Sequence, residues 1–598
     1  MNSTQSFSIG VLRRAYRDGE LDPADVITEV YRRIARDAAQ PVFTELVPEE
    51  RARLDLAEAR ERVRGGAKLP LFGVPFAVKD NIDVSGVPTT AACPAFAYTP
   101  TRSATAVARL IDAGAILVGK TNMDQFATGL VGTRTPYGAC ASVFDPRYIS
   151  GGSSSGSAVC VAEGQVSFAL GTDTAGSGRV PAAFNHVVGL KPTRGLVSTL
   201  GVVPACRSLD CVSVFAASVP DALSVLSVMG GFDAEDPFSR RDAVRPSQTI
   251  ARVGIPVALE FFGNAEYARL YALAAARLAE LGIESRPVEI EALLEAQKLL
   301  YGGPWIAERY AGVGPFIEAH RSEVNEVVRD IILSGRDVPA HEAFRGRYRL
   351  AELARRVEAT FEDVDALLLP TAGTHYTHAE IASEPLTLNA NLGRYTNFVN
   401  LLDLAALAIP AGFTRDGLPF GVTLIGPSGS DRDLAVLGER LHRALEPTYG
   451  AARTPLAAPE LSGTAQRGEV LLAVCGAHLR GGALNHQLTS RGARFVVATR
   501  TAPDYRFYAL KDTLPPKPGL VHAPGFTGPG IEVEVFALSE AAFGSFVAEV
   551  PAPMVIGTAR LSDGSLVKSF LCEPFALEGS EEITAFGGFR AYLARAKS

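Results

Sequence analysis

The spacing of apolar and polar positions changes several times along this 598-residue chain. Over the first 66 residues it is helical. Asp22-Pro23 reads as an N-cap and first-turn proline, with Val26, Ile27, Val30, Tyr31 and Ile34 following on one face. After Gly65-Gly66 the period shortens: residues 71–79 (LFGVPFAVK) set Val74, Phe76 and Val78 against Pro75, Ala77 and Lys79, which predicts a strand. A helix at about 104–113, an apolar strand at 115–118, a Gly/Ser-rich loop at 150–157 and a helix-to-strand passage up to Gly171 come next. This alternation predicts an α/β domain with a covered sheet. Residues 264–360 read as a mostly helical insertion or subdomain, and strands return at 366–370 and 420–425. Small, polar and proline residues at 450–466 read as a linker. From 469 onward, short β-like runs (EVLLAVCG, RFVVATR, IEVEVFAL, LVKSFLCEP) predict a separate, smaller α+β domain. The expected organisation is a domain over 1–450, a linker over 451–466 and a second domain over 467–598.

Composition narrows the function classes. Hydrophobic residues make up 47% and charged residues 21%, so the chain can bury large cores and is not a disordered one. A net charge of −7 without a Lys/Arg run argues against nucleic acid as partner. Seven scattered cysteines without a CxxC pair suggest neither a disulfide framework nor a zinc knuckle. No secretory leader is visible, and the longest apolar stretch, 398–413, is broken by Asn400, Asp403 and Pro410, so no membrane span is expected. A cytoplasmic enzyme without metal or cofactor is the expectation.

Two motif matches fail on physical grounds. GAILVGKT (114–121) satisfies the phosphate-loop pattern, but Ala115–Val118 is an apolar strand-like run, not a loop of converging amides. GSSSG (152–156) satisfies the nucleophile-elbow pattern with Ser154 central, yet no buried strand leads directly into it. A histidine-dependent esterase using Ser154 is kept only as a lesser alternative.

More promising is the pair of loops SGGSSSGS (150–157) and GTDTAGSGRV (171–180). Either alone reads as a tight turn. The second, however, follows the apolar run VSFAL and strings Thr174, Ala175, Gly176 and Ser177 together, so successive amides could surround an oxyanion beside a serine nucleophile. A serine needs a base. Lys79, one of nine lysines, sits among apolar neighbours where desolvation would leave a neutral amine; a charged Lys79 paired with Asp80 or Asp83 is the alternative.

GVPFAVKDNIDVSGVPTT, SGGSSSGSAV and GTDTAGSGRVPAAFNHVVGLKPTRG, in this order over about 70–215, resemble the amidase signature family; Lys79 precedes Ser153 by 74 residues, and Ser153 precedes Ser177 by 24. The resemblance implies a mixed, mostly parallel sheet surrounded by helices. It also implies a Ser–Ser–Lys triad: Ser177 attacks, Ser153 (expected after a cis peptide bond) relays the proton, and Lys79 accepts it. The amides of Thr174, Ala175, Gly176 and Ser177 would be the oxyanion hole. Ser155, Ala175 and Gly178 depart from the commonest family text without removing a catalytic group.

TTAACPAFAYTP (89–100), VVPACRSLDCVS (202–213) and AVCGAHLRGGALNHQL (473–488) resemble the allophanate hydrolase branch of that family. The implied substrate is a small anionic amide, which needs a small pocket with a cation. Arg309 with Tyr301, eight residues apart, resembles the branch's substrate-binding pair, and Gly129 would line the same pocket. The C-terminal domain is expected to be γ-glutamyl cyclotransferase-like and to assist decarboxylation, with His478 as first and His486 as second candidate; Arg480 nearby suggests an anion site. The resemblance further implies a homodimer. Another amidase, or one subunit of an amidotransferase, remains the alternative.

Overall fold

The first helix signals are realised as predicted: Asp22 accepts the amide hydrogen of Ala24, and the helix Pro23–Arg36 buries Val26, Ile27, Val30 and Ile34. The computed structural model describes residues 6–246, 248–457 and 469–595. The chain forms two units, Met1–Pro246 with Ile250–Ala457, and Ser247–Thr249 with Ala458–Ser598. The division falls inside the expected linker. Residues 451–457 of that linker belong to the first unit, where Thr454–Pro455 pairs with Thr448–Tyr449; residues 458–466 lie outside the described ones.

In the first unit β1 (Phe43–Leu46), β2 (Pro75–Lys79), β3 (Ile116–Thr121), β4 (Phe168–Asp173), β5 (Val188–Lys191), β6 (Cys211–Ala216), β7 (Arg252–Pro256), β8 (Glu284–Val288), β9 (Ala366–Pro370), β10 (Ala405–Phe413) and β11 (Pro419–Gly426) make one mixed sheet. Its order is β1-β3-β2-β4-β6-β5-β10-β11-β9-β7-β8. β3, β2 and β4 run parallel, as do β9, β7 and β8; the pairings from β4 through β9 by way of β6, β5, β10 and β11 are antiparallel.

The alternation at 71–79 separates large from small side chains, not buried from exposed ones. All five residues of β2 are buried. Phe76 and Val78 join Phe168 and Leu170 in one core, with the Phe76 and Phe168 rings stacked at 5.2 Å. Ala77 and Ala169 face the other core, and their small size admits the helix Ser155–Ala162. Lys79 shares the Ala77 face by its position in β2. It stands at the carboxyl end of a parallel strand, beside the end of β4, the edge at which open α/β sheets place their sites.

Several elements differ from expectation. β1 interrupts the all-helical first 66 residues, β8 lies within the helical stretch 264–360, and the helix Ser155–Ala162 begins inside the predicted loop 150–157. The apolar run before 413 becomes β10, buried except at Phe413; among the described residues no helix is long and apolar enough to cross a membrane. Residues 116–121 of GAILVGKT are strand β3, and Lys120 there is buried 3.7 Å from Asp80.

The second unit is α+β. A five-stranded sheet runs in the order Arg494–Arg500, Glu532–Ser539, Glu469–Val474, Leu566–Cys572, Met554–Arg560, with a three-stranded sheet built on Tyr505–Ala509. Phe507, Leu520, Val533, Val535 and Phe589 fill its core.

Candidate active site

Lys79 is fully buried at the end of β2. Its Nζ lies 2.7 Å from Ser153 Oγ and 2.8 Å from Thr172 Oγ1. Burial lowers the Lys79 pKa from 10.5 to about 7, although Asp124, Asp173 and Asp210 pull the other way. A large share of the amine is therefore uncharged at neutrality, and in that form its lone pair can accept the Ser153 hydroxyl hydrogen. Asp80 is not its partner, because that carboxylate takes Thr90 and the Ala92 amide and lies beside Lys120. The Gly152–Ser153 bond is cis. Asp124 donates its amide hydrogen to Ser153 O at 3.0 Å.

The loop after β4 is tied down by one carboxylate. Asp173 accepts from the amides of Gly176 (2.8 Å) and Gly178 (3.0 Å) and from Arg179 Nε (2.8 Å) and Nη2 (3.0 Å). Burial alone would raise the Asp173 pKa, but Arg179 and these donors outweigh it and hold the carboxyl below its ordinary value. Asn400 clamps the same turn, donating to Asp173 O at 2.7 Å and Leu209 O at 3.0 Å. Gly176 has φ +134°, and a Cβ there would lie 2.3 Å from Thr396 Oγ1, so the position requires glycine.

These contacts narrow the expected oxyanion hole. The Gly176 amide is already donated to Asp173, whereas those of Thr174, Ala175 and Ser177 donate to no group among the described residues. Thr174 turns its hydroxyl to Asp210, which also accepts from the amides of Ala205 (2.9 Å) and Cys206 (3.3 Å). Burial raises the Asp210 pKa to about 6. Ser177 Oγ has no hydrogen-bond partner among the described residues, so no hydrogen bond links it to Ser153 here. Ser154, by contrast, donates to Thr172 O at 3.2 Å and is buried.

Tyr301 ends the helix Lys298–Tyr301, and Arg309 lies in the second turn of Trp305–Ala319. Arg309 is 1% exposed; Nη2 donates to Tyr301 OH at 3.2 Å, Nη1 to Thr128 Oγ1 at 3.0 Å, and buried Nε has no partner. No carboxylate pairs with it among the described residues. Ala175 of the loop after β4 shares an apolar cluster with Leu300, Trp305 and Tyr301, which brings that loop beside the helices that carry Tyr301 and Arg309. Gly129, next to Thr128, has φ +151°, and a Cβ there would lie 2.8 Å from Asp124 Oδ2.

In the second unit, His478 lines a cavity of about 190 Å³ with Cys475, Gln487, Lys517 and Glu549. Its ring stacks on Phe570 at 5.0 Å, and Nε2 lies 2.9 Å from Gln487 Oε1. Burial lowers its pKa, and Lys517 adds to the effect. His486 does not line the cavity; its Nδ1 lies 3.1 Å from Ala483 O. Arg480 is likewise committed elsewhere, to Glu534 through its amide (2.7 Å) and Nε (3.1 Å), which corrects the expected anion site there.

Sequence reasoning missed the supporting residues. Asp173 and Arg179 stand inside the GTDTAGSGR motif, so an acid and a base six residues apart were visible there; Asn400, Asp210, Thr128 and Asp124 carried no local signal.

Comparison with known proteins fits this geometry. Residues 25–435 match the amidase family, and residues 470–594 match the allophanate hydrolase C-terminal domain. Urea amidolyase of Lachancea kluyveri is 45% identical over 547 residues, 88% of this chain and 30% of that protein. The chain thus spans about a third of the length of the urea amidolyases it matches. The selenomethionine form of Kluyveromyces lactis allophanate hydrolase superposes with a TM-score of 0.75 at 41% identity, covering 98% of this chain and 99% of that one. A glutamyl-tRNA(Gln) amidotransferase subunit from a Synechococcus strain is 34% identical, over 70% of this chain and 93% of its own.

Proposed function

Because this chain belongs to the amidase family, we propose that Lys79, Ser153 and Ser177 act as a proton relay and nucleophile that hydrolyse the terminal amide of allophanate. Neutral Lys79 accepts the Ser153 proton while Ser153 takes that of Ser177, whose oxygen attacks the carbonyl carbon. The amides of Thr174, Ala175 and Ser177 receive the developing oxyanion, where each correctly placed donor contributes roughly 3 kcal/mol. The relay run backwards delivers the proton to the leaving nitrogen and releases ammonia. Water then attacks the acyl-enzyme through the same groups and frees Ser177 and N-carboxycarbamate.

The observation that carries the substrate assignment is the buried Arg309 guanidinium, held by Tyr301 and Thr128 and paired with no carboxylate among the described residues. A substrate carboxylate beside it would supply the missing counter-charge. We infer further that His478, oriented by Gln487, assists decarboxylation of the N-carboxycarbamate in the second unit. The reading includes a cytoplasmic homodimer consuming allophanate from urea or cyanuric acid breakdown.

The test is ammonia release from allophanate and from biuret, its neutral isostere, by the full chain and by Arg309→Ala. Loss on allophanate with biuret spared is expected; equal loss on both contradicts the assignment. Ser177→Ala should abolish labelling by a serine-directed probe, and Ser154→Ala should not. His478→Ala should slow carbon dioxide release while sparing the first ammonia. Gel filtration with activity measured on the purified chain separates a self-sufficient dimer from one subunit of an amidotransferase.

A further inference from the structure

Between the relay and Arg309 runs one buried segment, Asp124–Thr128. At its start the Asp124 amide holds Ser153 O, and the carboxylate accepts from the amides of Val131 (3.2 Å), Gly132 (3.0 Å) and Arg134 (2.9 Å). Phe126 and Ala127 follow with φ +49° and +50°, a conformation that non-glycine residues keep only when their surroundings impose it. Those surroundings come from Ala91, whose carbonyl accepts the Phe126 amide hydrogen at 3.0 Å, from the Phe96 ring, and from the helices that follow in the fold. The Phe126 ring packs edge-on against Phe316, on the same helix as Arg309, and Gln125 Oε1 accepts the Asn325 amide hydrogen at 2.7 Å.

The segment ends on Thr128, which is fully buried. Its hydroxyl hydrogen goes to Phe126 O at 3.1 Å, so toward Arg309 Nη1, at 3.0 Å, the oxygen can only accept. Its carbonyl accepts from Arg134 Nη1 at 3.1 Å, and Arg134 Nη2 donates to Pro385 O at 2.7 Å. Arg134 is 3% exposed, and like Arg309 it forms no ion pair among the described residues. Two buried cations thus meet on one threonine.

We propose that Thr128 is a positioning residue that aims the Arg309 guanidinium at the substrate carboxylate and so sets selectivity for short anionic amides over neutral ones. This rests on the role of Arg309 proposed above. With Nη1 fixed on Thr128 and Nη2 on Tyr301, the guanidinium reaches the substrate already oriented, and its remaining N–H groups are free for the carboxylate. Because Asp124 anchors the segment at Ser153, its length also sets the span between carboxylate and scissile amide.

The test uses the full chain with Thr128→Val, which keeps the shape and removes the acceptor, and Thr128→Ser, which keeps the acceptor. Malonamate and malonamide serve as anionic and neutral amides, and malonate binding is measured in a Ser177→Ala background. Thr128→Val should raise KM for malonamate and Kd for malonate about ten-fold, as loss of a charged hydrogen bond does, while malonamide turnover changes by less than about two-fold. Thr128→Ser should restore both constants. Equal loss on the two amides, unchanged malonate affinity, or failure of serine to restore it overturns the proposal. Should the valine variant not fold, Thr128→Ala takes its place under the same criteria. A chain that fails on allophanate yet shows the expected malonate shift would overturn the allophanate assignment and leave Thr128 in its role.

Discussion

Replacing Lys79 by methionine should abolish hydrolysis and, at neutral and acid pH, make the amidase unit more stable. Methionine fills a similar volume without a charge. A pKa that falls from 10.5 to about 7 on folding corresponds to roughly 5 kcal/mol spent on the buried ammonium below that pH. Between about pH 7 and 10.5 the unfolded chain binds this proton and the folded chain does not, so wild-type stability rises with pH across that window through this group; the variant lacks the rise. Against the gain stands the loss of hydrogen bonds to Ser153 and Thr172, about 1–3 kcal/mol. A net advantage of about 2–4 kcal/mol at pH 6–7 should shrink and vanish toward pH 10. Urea denaturation of the two full-length proteins, followed through the amidase unit's transition at pH 6, 8 and 10, measures it. A variant less stable at pH 6, or a difference constant with pH, would refute the reasoning.

Two other outcomes follow from the groups around Lys79 and the loop after β4. The charge of Asp210 raises the Lys79 pKa, so Asp210→Asn should move the rising limb of kcat/KM, which marks the appearance of neutral amine, to lower pH; a limb that stays or moves upward counts against this coupling. Asp173→Asn leaves the buried Arg179 without its counter-charge and should cost about 3–5 kcal/mol together with most activity, read by denaturation and ammonia release. Near-native stability would show that Arg179 finds another partner.

The motif residues could be read from the sequence because three short segments carry them, and a strand pattern placed Lys79 correctly on β2. The meeting of Lys79 with Thr172, and with Ser153 beside it, depends on β2 pairing with β4, a contact between strands some ninety positions apart that periodicity does not encode. Three of the strands the pattern did not show had a physical reason to stay hidden. β1 and β8 are short and largely unburied, so they show no apolar alternation, and β10 is covered on both faces, so its apolar run has no period. The support for the site was still less legible. Asn400 reaches Asp173 across 227 positions, and Thr128 reaches Arg309 across 181, through packing that only the folded chain creates. In the second unit the candidate histidines were visible, but which one faces the cavity depended on a turn of four residues, His486–Thr489.

The account turns on an uncharged Lys79 at working pH, and this can be observed directly. With nine lysines in the chain, NMR of the full-length protein carrying side-chain ¹³C-labelled lysine gives few resonances, and Lys79→Met assigns the one that disappears. The account predicts that this resonance titrates with a midpoint near pH 7. A midpoint near the ordinary 10.5 would contradict it.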